Sequence, residues 1–219
     1  LEINCSPANT SYQSTIELIN EARNPEYPLT TLNLDKSELS KTGYPAEQVY
    51  EELFDDLHEG AENIILVLDE VNTLGSDSEL LYQLTRAQTM HKLEAELCII
   101  GISNDFNFRD DLPARVKDTL CETELHFPAY EQSDLISILS RRAEQAFYEG
   151  TSENGVIELS AALASRDRGS ARQAIRLLRK AAELAENEAV ETEDTDCIEE
   201  RHVRNAEDII ERKQVTTGI

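Results

Sequence analysis

Two periods of apolar and polar positions divide this chain, and the change from one to the other marks its organisation. The run Ile64-Ile65-Leu66-Val67-Leu68 is unbroken, rich in Ile and Val, and ends in Asp69-Glu70. So short an apolar run predicts a strand buried on both faces, as in a parallel sheet. Leu97-Cys98-Ile99-Ile100-Gly101-Ile102 repeats the pattern and ends in Ser103-Asn104-Asp105. A further strand is expected at Thr123 to Phe127, closed by Pro128, and a short strand end at Glu2 to Cys5.

Between the strands the period is helical. Residues 10–22 suit a helix with Thr10 or Ser11 as N-cap and Tyr12, Ile16 and Ile19 facing inward. Residues 29–45 are polar and loop-like. Ala46, Val49, Tyr50, Leu53, Phe54 and Leu57 then share one helical face, which His58-Glu59-Gly60 closes. A turn at Gly75-Ser76-Asp77 leads to a helix capped by Asp77 or Ser78, with Leu81, Leu84 and Ala87 inward. Pro113 suits the first turn of a short helical segment. Helix followed by buried strand is the alternation of a parallel α/β sheet.

From residue 130 only the helical period remains. Leu135, Ile138, Leu139, Ala143, Ala146 and Phe147 form one stripe. Val156, Leu159, Leu163 and Ala164 form another, and Ala171, Ala174, Ile175, Leu178, Ala181 and Ala185 a third. Residues 188–200 read as an acidic linker before a last helix carrying Val203, Ala206, Ile209 and Ile210. The expected organisation is an α/β sheet domain over 1–129 and an all-α domain over 130–219.

Charge narrows the function. The 219 residues carry 44 acids against 20 Lys and Arg, a net charge of −24. That argues against a large basic face for nucleic acid in this segment. Arg outnumbers Lys, 14 to 6, and an acidic, Lys-poor surface suits a salt-rich cytoplasm, where salt screens self-repulsion. No apolar run approaches the ~18 residues of a membrane span, and no secretory signal is expected. Cys5, Cys98, Cys121 and Cys197 are too scattered for a metal clip or a disulfide framework, and Cys98 reads as a small core residue. His58, His91, His126 and His202 are scattered too, and are expected at surface or boundary positions.

The candidate chemistry lies at the strand ends. Open α/β sheets bind ligands beyond the carboxyl ends of their strands. There Asp69 can hold Mg²⁺, directly or through water, and Glu70 can polarise an attacking water. Asn104, ending the next strand, can position that water against a γ-phosphate, or simply cap its turn. Arg115 can reach a neighbouring subunit's nucleotide, or form a surface ion pair. Arg172, Arg176 and Arg179 share a helical side. They can face a phosphate or pair with nearby Glu.

Together, Leu68-Asp69-Glu70-Val71-Asn72-Thr73-Leu74, Gly101-Ile102-Ser103-Asn104-Asp105, Leu112-Pro113-Ala114-Arg115-Val116, Phe127-Pro128-Ala129-Tyr130 and Gly169-Ser170-Ala171-Arg172 resemble the archaeal replication initiators of the origin-recognition and cell-division-control family. The resemblance covers nearly the whole chain. It implies a partial AAA+ (P-loop NTPase) parallel sheet followed by a helical lid. It implies ATP and Mg²⁺ as cofactors, with Asp69 binding the metal and Glu70 as hydrolytic base. Asn104 would be sensor 1, Arg115 the arginine finger and Arg172 sensor 2. Residues Leu34 to Gln48 resemble the initiator-specific insertion that contacts origin DNA. The implied partners are origin DNA, a replicative helicase and further copies of the protein, in the cytoplasm.

The chain departs from the family pattern at Asn72 and Ser170, where Asp is usual. It contains no GxxxxGK[ST] phosphate loop, nor the winged-helix domain that follows the lid. The expected role is the Walker B half and lid of an initiator, inactive as an ATPase alone. The alternatives are a P-loop-less paralogue serving as a protein-interaction scaffold, and an AAA+ ATPase outside replication.

Overall fold

Asn63–Asp69 is the central strand of the sheet, and the buried core of the first unit packs on the face that carries Ile64, Leu66 and Leu68. The structure is a computed structural model. It describes residues 1–24, 36–60, 62–120, 123–167, 169–192 and 197–217. These form two compact units, Leu1–Thr123 and Glu124–Ile219.

In the first unit β1 (Glu2–Asn4), β2 (Asn63–Asp69) and β3 (Glu96–Gly101) form a parallel sheet in that order. Asn4 pairs with Asp69 and Leu68 with Gly101, so the three carboxyl ends share one edge. Two helices precede β2. α1 (Ser11–Arg23) begins where the Thr10 hydroxyl accepts the Gln13 N–H at 3.2 Å, satisfying a free end donor. It ends at Asn24, before Pro25, which disfavours helical backbone in its predecessor. α2 (Ala46–Gly60) turns Val49, Tyr50, Leu53, Phe54 and Leu57 inward as its stripe predicts. Burial pushes the Tyr50 phenol up to about 12. α3 (Glu79–Arg86) is held by Leu80, Leu81 and Leu84. α4 (Phe108–Asp111) and α5 (Ala114–Lys117) are single turns.

One face of the sheet is open. Ile64, Leu66 and Leu68 are buried, but Ile65 is 57% exposed, and on β3 Cys98 and Ile100 are exposed. The strands are therefore not buried on both faces, and Cys98 is not a core residue. The unbroken apolar run concealed the period of two, because Ile65 and Val67 are apolar on the uncovered side. The strand expected at Thr123 to Phe127 is also absent: residues 123–130 have no regular structure, and Leu125 and Phe127 are 76% and 84% exposed. A strand needs a partner for its N–H and C=O groups, and no described strand pairs with this one.

A buried ionic cluster joins α1 to α2. Arg23 donates through Nε to Asp56 Oδ2 at 2.6 Å, pairs with Glu52, and donates to the Ser37 carbonyl at 2.9 Å. Lys36 Nζ donates to Asp56 Oδ1 at 2.7 Å. Asp56 is fully buried. Burial alone would lower the Arg23 guanidinium, but its two carboxylate partners outweigh that and raise it. The cluster anchors the described start of the polar segment, residues 36–45; residues 25–35, including the first two of the expected insertion, lie outside the described residues.

The second unit is helical: α6 (Gln132–Ala146), α7 (Val156–Asp167), α8 (Ala171–Thr192) and α9 (Glu200–Thr217). Leu135, Leu139, Val156, Ala164, Ala174, Leu178, Ala181, Val203 and Ile210 close a core of their own. α8 extends through residues 188–192, where the acidic composition predicts a linker; residues 193–196 lie outside the described residues. His202 is buried, not at the surface. Its Nδ1 accepts the Glu199 N–H at 3.0 Å, so Nε2 carries the proton it offers to Glu188 at 2.8 Å. Among the described residues no helix is long and apolar enough to cross a membrane.

Candidate functional site

The carboxyl edge of the sheet gathers the polar groups that the strands cannot pair. β2 ends at Asp69, whose Oδ1 accepts the Glu70 N–H at 2.9 Å. Glu70 takes left-handed backbone, φ 52 and ψ 38, which costs a residue with a Cβ about 1–2 kcal/mol. The conformation is fixed from both sides. Thr73 donates its N–H and hydroxyl to the Glu70 carbonyl at 2.9 and 2.7 Å, and the Val71 N–H donates to the Ile102 carbonyl at 3.0 Å. The chain thus turns sharply out of the sheet at Glu70 into a short 3₁₀ turn, Val71–Leu74, that the sequence pattern did not predict.

That turn brings Asn72 to β3's end, where its Nδ2 donates to Asn104 Oδ1 at 3.2 Å. The contact orients the Asn104 amide with its Nδ2 left to donate elsewhere. Asn72 Oδ1 is buried without a partner. In the sequence Asn72 stands out only as a departure from the family pattern. Its part in holding Asn104 was missed, because the pair is 32 residues apart.

Arg115 lies elsewhere on the first unit. It is 55% exposed, donates to Glu79 Oε2 at 3.2 Å and stacks over the Tyr82 ring at 5.0 Å. It is a surface ion pair with an aromatic platform, in no contact with Glu70 or Asn104.

Arg172 belongs to the second unit, in the first turn of α8. Gly169 sets that turn. It has φ +59, and a Cβ there would come within 2.5 Å of the Tyr130 carbonyl oxygen. The Gly169 carbonyl accepts the Tyr130 N–H at 3.1 Å. Ser170 Oγ accepts the Gln173 N–H at 3.3 Å, so this serine caps the helix as an Asp would. Arg172 and Arg176 make no ion pair or hydrogen bond among the described residues, whereas Arg179 and Lys180 both pair with Glu183.

The strand-end residues fit the metal side of a magnesium–nucleotide complex. Mg²⁺ is held through one or two carboxylates, waters and the substrate's phosphates, and Asp69 presents one carboxylate with a single oxygen engaged by backbone. Among the described residues no three acid, His or Cys side chains group as a metal cage, so a bare ion finds little grip. The phosphate side has no counterpart in this sequence, which lacks a GxxxxGK[ST] loop.

Comparison with known proteins agrees in both units. Residues 136–208 match the model of the Cdc6 AAA+ ATPase-type lid domain. The whole chain is 44% identical to ORC1-type DNA replication protein 15 of Haloarcula marismortui, covering half of it. It is 39% identical to an ORC1-type DNA replication protein of Pyrococcus abyssi, covering 96% of this chain and 47% of that one. The structure of the Aeropyrum pernix ORC1 protein in complex with DNA superposes with a TM-score of 0.76 at 34% identity, over 99% of this chain and 52% of that one. The chain spans about half the length of the curated relatives it matches. On its lid, its sheet and its identity over the full length, the chain belongs to the archaeal ORC1-type, Cdc6-like family of AAA+ replication proteins.

Proposed function

We propose that this chain supplies the Walker B half and the lid of a replication initiator whose intact form binds Mg·ATP and origin DNA and helps to load the replicative helicase in the cytoplasm. The observation that carries the reading is the junction at the strand ends. Asp69, the strained Glu70 and the Asn72-oriented Asn104 sit on one edge of a parallel sheet, in a chain 44% identical to an ORC1-type replication protein. When bound, Mg·ATP supplies the phosphoanhydride and the metal's charge. Asp69 would hold the metal, directly or through water, Glu70 would accept a proton from the attacking water, and the Asn104 Nδ2 would donate to that water or to a phosphate oxygen. Arg172 would serve as sensor 2 and Arg115 as the arginine finger, each as a cation toward phosphate charge. Origin DNA is met mainly outside this chain and through the segment around residues 34–48.

One feature favours a second reading, a P-loop-less scaffold: no GxxxxGK[ST] occurs in the 219 residues. One experiment separates the two. The chain is joined behind a P-loop-bearing family segment, and Mg·ATP binding and turnover are measured. The initiator reading expects binding that Asp69→Asn weakens. It expects hydrolysis that Glu70→Gln reduces by about 10²–10⁴-fold while binding is kept. It also expects weaker binding in Arg172→Ala. No binding in the joined protein leaves the scaffold.

A further inference from the structure

The basic stripe on α8 has a use that a single phosphate-facing arginine does not exhaust. Residues 171–182 contain Arg172, Arg176, Arg179 and Lys180 and no acid, and the rest of α8 contains Glu183, Glu186, Glu188 and Glu191 and no base. That order opposes the helix dipole, which favours acids at the amino end and bases at the carboxyl end by about 0.3–1 kcal/mol each. Helix stability therefore does not explain it, and a net charge of −24 makes four adjacent cations more unusual still.

Their setting defines what they fit. Arg176, Arg179 and Lys180 line a groove of about 240 Å³ with Glu183, Ile209 and Ile210, where α8 packs on α9. Ile210 is the buried floor and Ile209 is half-buried. The groove is smaller than the roughly 300–1,000 Å³ of small-molecule sites, but large enough for one or two side chains. Glu183 already lies between Arg179 and Lys180, at 3.2 and 2.8 Å. A carboxylate thus suits this wall, while Arg176 makes no ion pair or hydrogen bond among the described residues.

We propose that this groove on the helical unit docks an acidic amphipathic segment of a protein partner, its carboxylates on Arg176 and Arg179 and an apolar side chain on the Ile209–Ile210 floor. The occupant is a peptide segment rather than nucleic acid for two reasons. A phosphate backbone has no use for an apolar floor. The chain's overall charge also repels a polyanion much more than a lightly charged helix. In high salt, where screening shortens to about 3 Å near 1 M, charge alone holds little, and the floor supplies the remainder.

Fluorescence anisotropy with the full chain tests this, using three labelled probes: a helical peptide of Leu and Glu, an all-Glu peptide of the same charge, and a DNA duplex. The Leu/Glu peptide binds best, and Arg176→Glu with Arg179→Glu weakens it about tenfold or more. Ile209→Asp also weakens it, and circular dichroism checks that each variant stays helical. Arg176→Lys retains most of the affinity. Equal binding of the all-Glu peptide, tighter binding of the duplex at the same residues, or no effect of the double reversal overturns the proposal.

Discussion

The two units solve the burial problem differently. The helical unit closes on itself, with Leu135, Leu139, Val156, Ala174 and Val203 all fully or almost fully buried inside four helices. The sheet unit is a half-sandwich: helices cover Ile64, Leu66 and Leu68, while Ile65, Cys98, Ile100 and Ile102 face outward. Their ion pairs differ in the same sense. The sheet unit seals Arg23 and Asp56 inside, whereas the helical unit carries its pairs, such as Arg179–Glu183 and Arg201–Glu188, on the outside. The sheet unit thus combines a one-sided apolar core with a buried charge cluster whose contacts must be complete.

The largest expected effect breaks that buried cluster. Asp56→Ala leaves the buried Arg23 guanidinium with Glu52 as its one carboxylate partner and Lys36 with Glu59. Removing one partner of a buried ion pair costs about 3–5 kcal/mol. Urea unfolding followed by probes in each unit should show the sheet unit's transition move to lower denaturant, with the helical unit's unmoved. A shift under about 1 kcal/mol means that water or Glu52 replaces Asp56.

The next effect sets one face of β2 against the other. Leu66→Ala removes a fully buried side chain and should cost about 2–5 kcal/mol. Ile65→Ala, one residue away on the open face, should cost less than about 1 kcal/mol. Equal costs would show that something covers Ile65 in solution, such as a second copy seated on the sheet. Sedimentation at two concentrations distinguishes that case.

This pair of neighbours also shows what was legible in the sequence. The strand itself was, because five consecutive apolar residues ending in Asp69-Glu70 have few other solutions. The helical stripes were too, since a period of 3.6 needs no partner to be recognised. The open face was not: Ile65 and Val67 are apolar whichever way they point. Thr123 to Phe127 failed for the related reason that strand formation is a property of pairs. Asp69, Glu70 and Asn104 were legible as strand-end polar groups. The left-handed backbone of Glu70, the Asn72–Asn104 contact and the Arg23–Asp56 cluster were not, as each joins residues or conformations that local pattern does not encode.

The smallest effect belongs to the outer pairs of the helical unit. Glu188 is held below its ordinary value of 4.5 by the hydrogen bond from His202 first and that from Arg201 second. Arg201 likewise lowers Glu199. A carboxyl that is more acidic in the folded than in the unfolded chain stabilises the fold above the unfolded value and loses that contribution as pH falls through the folded one. Acidification below about 4.5 should therefore lower the helical unit's thermal midpoint progressively. Because these groups are exposed, the change should be modest, and salt should reduce it further. Glu188→Gln removes one of these dependences while keeping an acceptor for His202 Nε2. Its midpoint should fall less between neutral and acid pH than that of the unaltered chain. Parallel curves would place the acid sensitivity elsewhere, the Glu183 carboxylate beside Lys180 and Arg179 being the next group to test.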